Sequence, residues 1–325
     1  MHFLNRGVEC TSDQVFITTG SQQALDVLTR MLLNTGGDMI LEEIIYTGAQ
    51  QVMNPLAPKV YKVPTDLKTG IDVDKVEELL KSGIKPAFLY LVPTAHNPLG
   101  VSISHEKRIK LSELATKYEV PILEDDAYGL LVYEDDHETC LKQLNPEWVF
   151  YLGSFSKIIA PGLRIGWMIA PPSLVGTLTV IKEACDLESS GLTQRAISKF
   201  LDKGLLDSHL TKLRTEYKLR RDIMLQALTD FFPSYSTWTI PSGGMFIWVK
   251  FDIPIDTNDL LHYAIEKQKI AFIPGYAFAV PGSNISNCLR LNFSNTKPEV
   301  IREGIERLAR TLIEFVAIGQ TKPHQ

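Results

Sequence analysis

From residue 11 to about residue 170, short apolar runs alternate with longer amphipathic stretches. Strands and helices follow one another in this way in a wound α/β sheet. Val15 to Thr18 opens the series as a strand. Gly20 interrupts it, and Ala24, Leu25, Leu28 and Leu32 then recur at helical spacing, with Ser21 placed to cap the helix. Residues 87–92 and 120–123 are continuous apolar runs, as expected of strands buried on both faces. Between them Leu111, Leu114, Ala115 and Tyr118 mark one face of a helix that starts near Ser104. Residues 148–152 and 163–170 read as two further strands, separated by a Ser/Gly/Pro-rich stretch. Beyond Pro171-Pro172 the pattern lengthens into helices that reach about Phe232, and the cluster Lys218, Arg220, Arg221 reads as a solvated face. Strand-like runs return at 244–251, 271–274 and 288–293. A last helix carries Ile301, Ile305, Leu308 and Leu312, and residues 318–325 read as a loose tail. The expected fold class is α/β: a mostly parallel wound sheet in residues 1–204, with a smaller C-terminal α+β domain in residues 205–325.

Composition narrows the partners. A chain of 325 residues with 45% hydrophobic and 22% charged positions can bury a large core, which excludes disordered, collagen-like and small disulfide-bonded classes. Lys and Arg total 33 against 38 Asp and Glu, for a net charge of −5, so no basic field draws the chain to nucleic acid or anionic lipid. A small-molecule partner is expected instead. Four cysteines, Cys10, Cys140, Cys185 and Cys288, form no C-x-x-C pair, and no metal site is read from them. With no leader-like apolar stretch at the start and no run long enough to cross a bilayer, a cytoplasmic protein is expected.

In a wound sheet ligands bind beyond the carboxyl ends of the strands, which directs attention to the polar residues there. Gly20-Ser21-Gln22 lies between a strand and a helix, where backbone N–H groups and the positive helix end favour a phosphate, although a serine after glycine is more often only a cap. Asn97-Pro98-Leu99-Gly100 has the composition of an ordinary turn. Glu124-Asp125-Asp126 follows an apolar strand; three acids in a row often merely solvate a loop, but Asp125 and Tyr128 are spaced to face one site. Ser154-Phe155-Ser156-Lys157, with Arg164 beyond it, supplies hydroxyls and a forked guanidinium for a phosphate, and an amine able to form a Schiff base.

Taken in this order, these motifs resemble the fold-type I pyridoxal-phosphate aminotransferases of class I/II, the group with aminoadipate, kynurenine and aromatic aminotransferases. The resemblance implies a transaminase that exchanges the amino group between an L-amino acid and a 2-oxo acid, as a homodimer. It implies that Lys157 holds pyridoxal 5'-phosphate as a Schiff base and moves the proton at the substrate Cα. Asp125 then pairs with the pyridine nitrogen, and opposite charges about 4 Å apart gain roughly 4 kcal/mol at an effective dielectric of about 20. Asn97 and Tyr128 match the pair that bonds the ring hydroxyl oxygen. Ser21, Gln22, Ser154, Ser156 and Arg164 match the phosphate cup, and Tyr46 falls where an aromatic ring stacks on the cofactor. Arg290, flanked by alternating apolar residues on a strand, matches the arginine that grips the substrate α-carboxylate, with Asn97 beside it. Family members carry a substantial segment ahead of the Gly-Ser-Gln motif, with a pocket-closing arm and a tyrosine that reaches the neighbouring subunit's phosphate. Here the motif starts at Gly20, so an N-terminally shortened chain is expected, with none of its residues given those duties. Leu99 stands where threonine is usual. A cofactor-binding regulatory or catalytically impaired domain and a lyase or decarboxylase share this scaffold. The absence of a basic helix-turn-helix segment argues against the regulator, and the sequence leaves the lyase choice open.

Overall fold

The structure, a computed structural model, describes residues 6–134 and 138–321. Residues 1–5, where the absence of a leader was read, and the last four residues of the expected tail lie outside that range. The first half runs β1 (Val15–Thr18), α1 (Ser21–Leu32), β2 (Asp38–Glu42), α2 (Thr47–Met53), β3 (Lys59–Val63), a small hairpin of β4 (Thr65–Asp66) and β5 (Gly70–Ile71), α3 (Val73–Lys81), β6 (Leu89–Leu91), α4 (His105–Tyr118), β7 (Ile122–Asp125), α5 (Leu141–Leu144), β8 (Val149–Ser154) and β9 (Gly166–Ile169). Then come α6 (Val175–Asp186), α7 (Gly191–Asp202), α8 (Leu205–Phe231), β10 (Ser236–Trp238), β11 (Phe246–Phe251), α9 (Thr257–Gln268), β12 (Ile273–Pro274), β13 (Cys288–Asn292) and α10 (Pro298–Thr321).

Seven strands form one mixed, mostly parallel sheet in the order β1-β9-β8-β7-β6-β2-β3. From β3 across to β8 every neighbouring pair is parallel, and β9 runs antiparallel between β8 and β1. All the side chains of β6, β7, β8 and β9 are buried, which is why these segments carry continuous apolar runs with no alternation. Helix α1 covers the sheet with Ala24, Leu25, Val27 and Leu28. A second sheet, β10-β11-β13-β12, is antiparallel throughout. Its inner face, with Ile247, Val249 and Leu289, packs against Leu260 of α9 and Ile305, Leu308 and Leu312 of α10.

Several expectations change. Ser21 is the first residue of α1, not its cap; Gly20 holds that place at φ 85°, a left-handed conformation open to glycine. The loop is closed from inside the helix, where the Gln23 side chain accepts the Thr19 N–H at 2.8 Å. Arg221 is buried rather than solvated: it donates to the Pro241 carbonyl at 2.7 Å and to Glu134 at 3.1 Å, and lies over the Tyr133 ring. Residues 318–321, read as a loose tail, continue α10. Strands β2, β3 and β10 are additions to the pattern read from the sequence.

Candidate active site

Strands β1, β2, β6, β7 and β8 point the same way, so their carboxyl ends share one edge of the sheet, and β9 starts from that edge. The sequence-derived residues meet there. The three acids, far from solvating a loop, are all buried, and each has its own partners. Glu124 accepts the backbone N–H groups of Leu141 and Lys142, both at 2.8 Å. Asp126 pairs with Arg6 at 3.0 Å and accepts the Tyr151 hydroxyl at 3.0 Å. Asp125 accepts the Tyr90 hydroxyl at 2.9 Å on Oδ2, while its Oδ1 is buried with no hydrogen-bond partner. Alternation along β7 puts Asp125 on the face opposite Glu124. Burial pushes the Asp125 carboxyl up to about 6; the Tyr90 hydroxyl pulls against it, Asp126 adds to it, and the Ala127 N–H and Lys157 oppose it.

Lys157 follows β8 and is half-buried. Burial, and then the charges of Arg290 and Arg164, disfavour its ammonium form, with Asp125 the opposing influence. Arg290, on β13, reaches across from the second sheet and donates to Asn97 Oδ1 at 2.7 Å. Its guanidinium lies 4.1 Å from the ring centre of Phe246 and 4.8 Å from that of Phe278, and its Nε is buried without a partner. Two aromatic faces thus fix a planar cation that has donors to spare. Tyr128 packs edge-on against Phe246 at 5.9 Å, and burial, then Asp125, raise its phenol, with Arg290 and a hydrogen bond from Asn97 pulling down.

A second cluster surrounds the start of α1. Arg164 Nη1 donates to Ser156 Oγ at 3.2 Å and its Nη2 to the Thr19 carbonyl at 3.4 Å, while the Ser156 N–H donates to Ser154 Oγ at 3.2 Å. A Cβ on Gly20 would lie 2.5 Å from Arg164 Nη2, so this approach requires glycine. Ser21 and Gln22 supply the first N–H groups of α1, which no earlier turn satisfies. The Gln22 side chain is tied by its Nε2 to the Gly48 carbonyl at 2.7 Å. Tyr46 precedes α2, and its half-buried phenol is raised by burial and by Asp125 and lowered by Arg164 and Arg290, which places it between the two clusters.

Residues 1–308 match the family described as Aminotransferase class I and II. The chain is a class I/II aminotransferase. It is 40% identical to the aromatic-amino-acid aminotransferase 1 of Thermococcus litoralis, over 92% of this chain and 72% of that protein. Among solved structures it is similar to the Pyrococcus horikoshii kynurenine aminotransferase in complex with PMP (TM-score 0.91, 40% identity, 97% of this chain and 78% of that one). A second is the Thermus thermophilus α-aminoadipate aminotransferase LysN, complexed with N-(5'-phosphopyridoxyl)-L-leucine (TM-score 0.92, 33% identity, 98% and 81%). The α/β fold is that of this family, the reaction is amino transfer between an amino acid and a 2-oxo acid, and the cofactor is pyridoxal phosphate.

The residues of this aminotransferase fit that cofactor. The unpartnered Asp125 Oδ1 asks for a buried cationic N–H, and the cluster at the start of α1 gathers hydroxyls, backbone donors and a guanidinium, the donor set of a phosphate. Sequence reasoning missed Tyr90, Thr19 and Arg6. Tyr90 lies inside an apolar strand and reads as core, although a fully buried tyrosine must still find a partner for its hydroxyl. Thr19 binds Asp186 at 2.8 Å and Ser189 at 3.0 Å, contacts 167 and 170 residues away that no local pattern announces. No helix of the described residues is long and apolar enough to cross a membrane, and among them no metal-binding cluster occurs.

Proposed function

We propose that this aminotransferase uses aromatic L-amino acids as donors. The observation that carries the reading is Arg290, clamped by Phe246, Phe278 and Asn97 with its Nε open. A guanidinium so fixed accepts an α-carboxylate bidentately. Phe246 and Phe278 put aromatic faces beside that carboxylate site, and the cations acting on Lys157 are Arg290 and Arg164. With the first assigned to the α-carboxylate and the second to phosphate, the described residues place no further cation beside Lys157 for a side-chain carboxylate. The 40% identity to an aromatic-amino-acid aminotransferase supports the same choice.

In this reading Ser21, Gln22, Ser154, Ser156 and Arg164 hold the phosphate, Tyr46 stacks on the ring, Asn97 and Tyr128 bond its hydroxyl oxygen, and Asp125 holds the proton on its nitrogen. Pyridoxal phosphate, when bound, supplies a carbonyl carbon for amine exchange and a ring that draws electrons from the substrate Cα. Lys157 Nζ removes the Cα proton and returns it to the carbon being converted to an amine. The surroundings that disfavour its ammonium form favour the free amine that a base requires. Asn97 couples the two halves of the site by bonding Arg290 and lying against Tyr128.

The same proposal includes a division into residues 1–204 and 205–325, supported by the seven-stranded sheet lying wholly before Gly204 and the four-stranded sheet wholly after it. It includes a cytoplasmic location, supported by the thiols of Cys140, Cys185 and Cys288, none of them in a disulfide. It also includes a homodimer, supported by the exposed leucines of the α6–α7 turn. The decisive experiment is Lys157→Ala. Borohydride should fix the cofactor to the Lys157 peptide of the wild type and to no peptide of the variant. The variant should lose amino transfer from phenylalanine or tyrosine. Retained turnover, or a label on another lysine, ends the assignment.

A further inference from the structure

We propose that the buried pair of Arg6 and Asp126 is a positioning device for Asp125: the Arg6 charge offsets that of Asp126 and limits how far Asp126 opposes ionisation of the neighbouring carboxylate toward the cofactor's ring nitrogen. The inference rests on the reading of Asp125 just given and adds two residues to it. Arg6 Nη1 lies 3.1 and 3.0 Å from the two Asp126 oxygens and 3.2 Å from Thr94 Oγ1, and Nη2 donates to the Glu138 carbonyl at 2.6 Å. The side chains are 6% and 0% exposed. The turn after β7 is shaped around them, since a Cβ on Gly129 would collide with both Asp126 Oδ2 and Arg6 Nη1.

A buried ion pair contributes little net stability, because desolvating two charges costs about as much as their attraction returns. Its position is the telling feature. Asp126 raises the proton affinity of Asp125, and the other groups that act on the two acids are Tyr90 from β6, Tyr151 from β8, Glu124 from β7 itself, Tyr46, Tyr128, Lys157, Cys140 and Arg108. Within this set Arg6 is the cation in direct contact with Asp126. Without it, the Asp126 charge acts on Asp125 uncancelled and Asp125 takes up its proton at higher pH. Without the Asp126 charge, the influence that raises the proton affinity of Asp125 is gone, and Asp125 gives up its proton at lower pH.

The test follows the dissociation constant of pyridoxal 5'-phosphate by tryptophan fluorescence between about pH 5 and about pH 9, a span that includes the Asp125 carboxyl at about 6. Every comparison is against wild type, so the titrations of the cofactor itself cancel. Arg6→Gln should move the pH at which affinity is lost upward, and Asp126→Asn downward, each by about one pH unit. The double variant should return close to wild type. A purely structural role would weaken binding in both single variants without opposite displacements, and that result, or unmoved midpoints, overturns the proposal. If Arg6→Gln does not fold, Arg6→Lys decides: with the charge kept the midpoint should stay at its wild-type position, and a displaced midpoint overturns the proposal. Asp125→Asn separates the two layers of the argument. A wild-type profile in Asp125→Asn sinks the reading of Asp125 itself. Loss of the profile there, with wild-type behaviour in the Arg6 and Asp126 variants, sinks the present inference alone.

Discussion

At the scale of single residues, the proposed site is a set of polar groups buried at a cost that a bound cofactor would relieve. Asp125 is the clearest case. Its carboxyl is pushed up from 3.8 to about 6, chiefly by burial, so the folded chain binds its proton more tightly than the unfolded chain does. A raised carboxyl contributes stability that is fully present below the unfolded value and is lost as pH rises through the folded one. In the cofactor-free chain, Asp125→Asn should therefore gain stability relative to wild type between about pH 4 and about pH 6, by on the order of 3 kcal/mol. Urea unfolding at the two pH limits measures it; a difference that stays flat with pH would show that Asp125 carries no such burden. The same substitution should weaken cofactor binding, the usual trade between stability and a strained functional site. The residue types of the site were legible because each chemistry demands one: an amine, a carboxylate beside it, a guanidinium on a strand. Tyr90 and Arg6 were not, because their roles are set by partners 35 and 120 residues away.

At the scale of elements, the sequence pattern reported the strands with continuous apolar runs and left out β2, inside the first sheet, and the edge strands β3 and β10. Strands β6 to β9 sit inside the sheet, so burial imposes continuous apolar runs. Strand β3 is an edge strand with an exposed lysine and three half-buried residues, β10 is an edge strand of the second sheet, and both lack that signal. Helix α8 falls within the helical stretch read as far as about Phe232, and its apolar face serves two cores, Leu206 and Leu210 the first and Met224, Ala227 and Leu228 the second. This is why its basic cluster could not be solvated as a whole: Arg221 lies on the turn that meets the second core and is bonded inward. The β1–α1 junction makes a prediction. Gly20→Ala imposes strain at φ 85° and drives a methyl group against Arg164. Affinity for pyridoxal 5'-phosphate should fall at least tenfold, about 1.4 kcal/mol, a typical value for losing one charge-assisted bond. Affinity for pyridoxal, which has no phosphate, should change far less. Equal losses for both ligands would mean that Arg164 and the helix start do not form the phosphate cup.

At the scale of the whole molecule, the passage from α6 into α7 carries the two most exposed large apolar side chains among the described residues. Leu187, just after α6, and Leu192, at the start of α7, are 79% and 82% exposed. Grouped apolar side chains of this kind mark a surface that another protein covers, and the proposed homodimer gives them a second copy of the chain. The patch is mechanically close to the site. Leu187 follows Asp186, which holds Lys182 at 2.7 Å and Thr19 at 2.8 Å, and the Thr19 carbonyl in turn meets Arg164. A partner seated on Leu187 would therefore brace the phosphate cup from behind. Replacing both Leu187 and Leu192 by glutamate puts two charges where burial would cost several kcal/mol. Sedimentation velocity should then show the wild type as a dimer and the double variant as a monomer of unchanged secondary structure. Because the Thr19–Asp186 link loses its backing, the monomer should also bind pyridoxal 5'-phosphate more weakly, by a few-fold, with binding recovered at protein concentrations high enough to restore association. A wild type that sediments as a monomer would remove the dimer. A double variant that stays dimeric would place the interface elsewhere on the molecule.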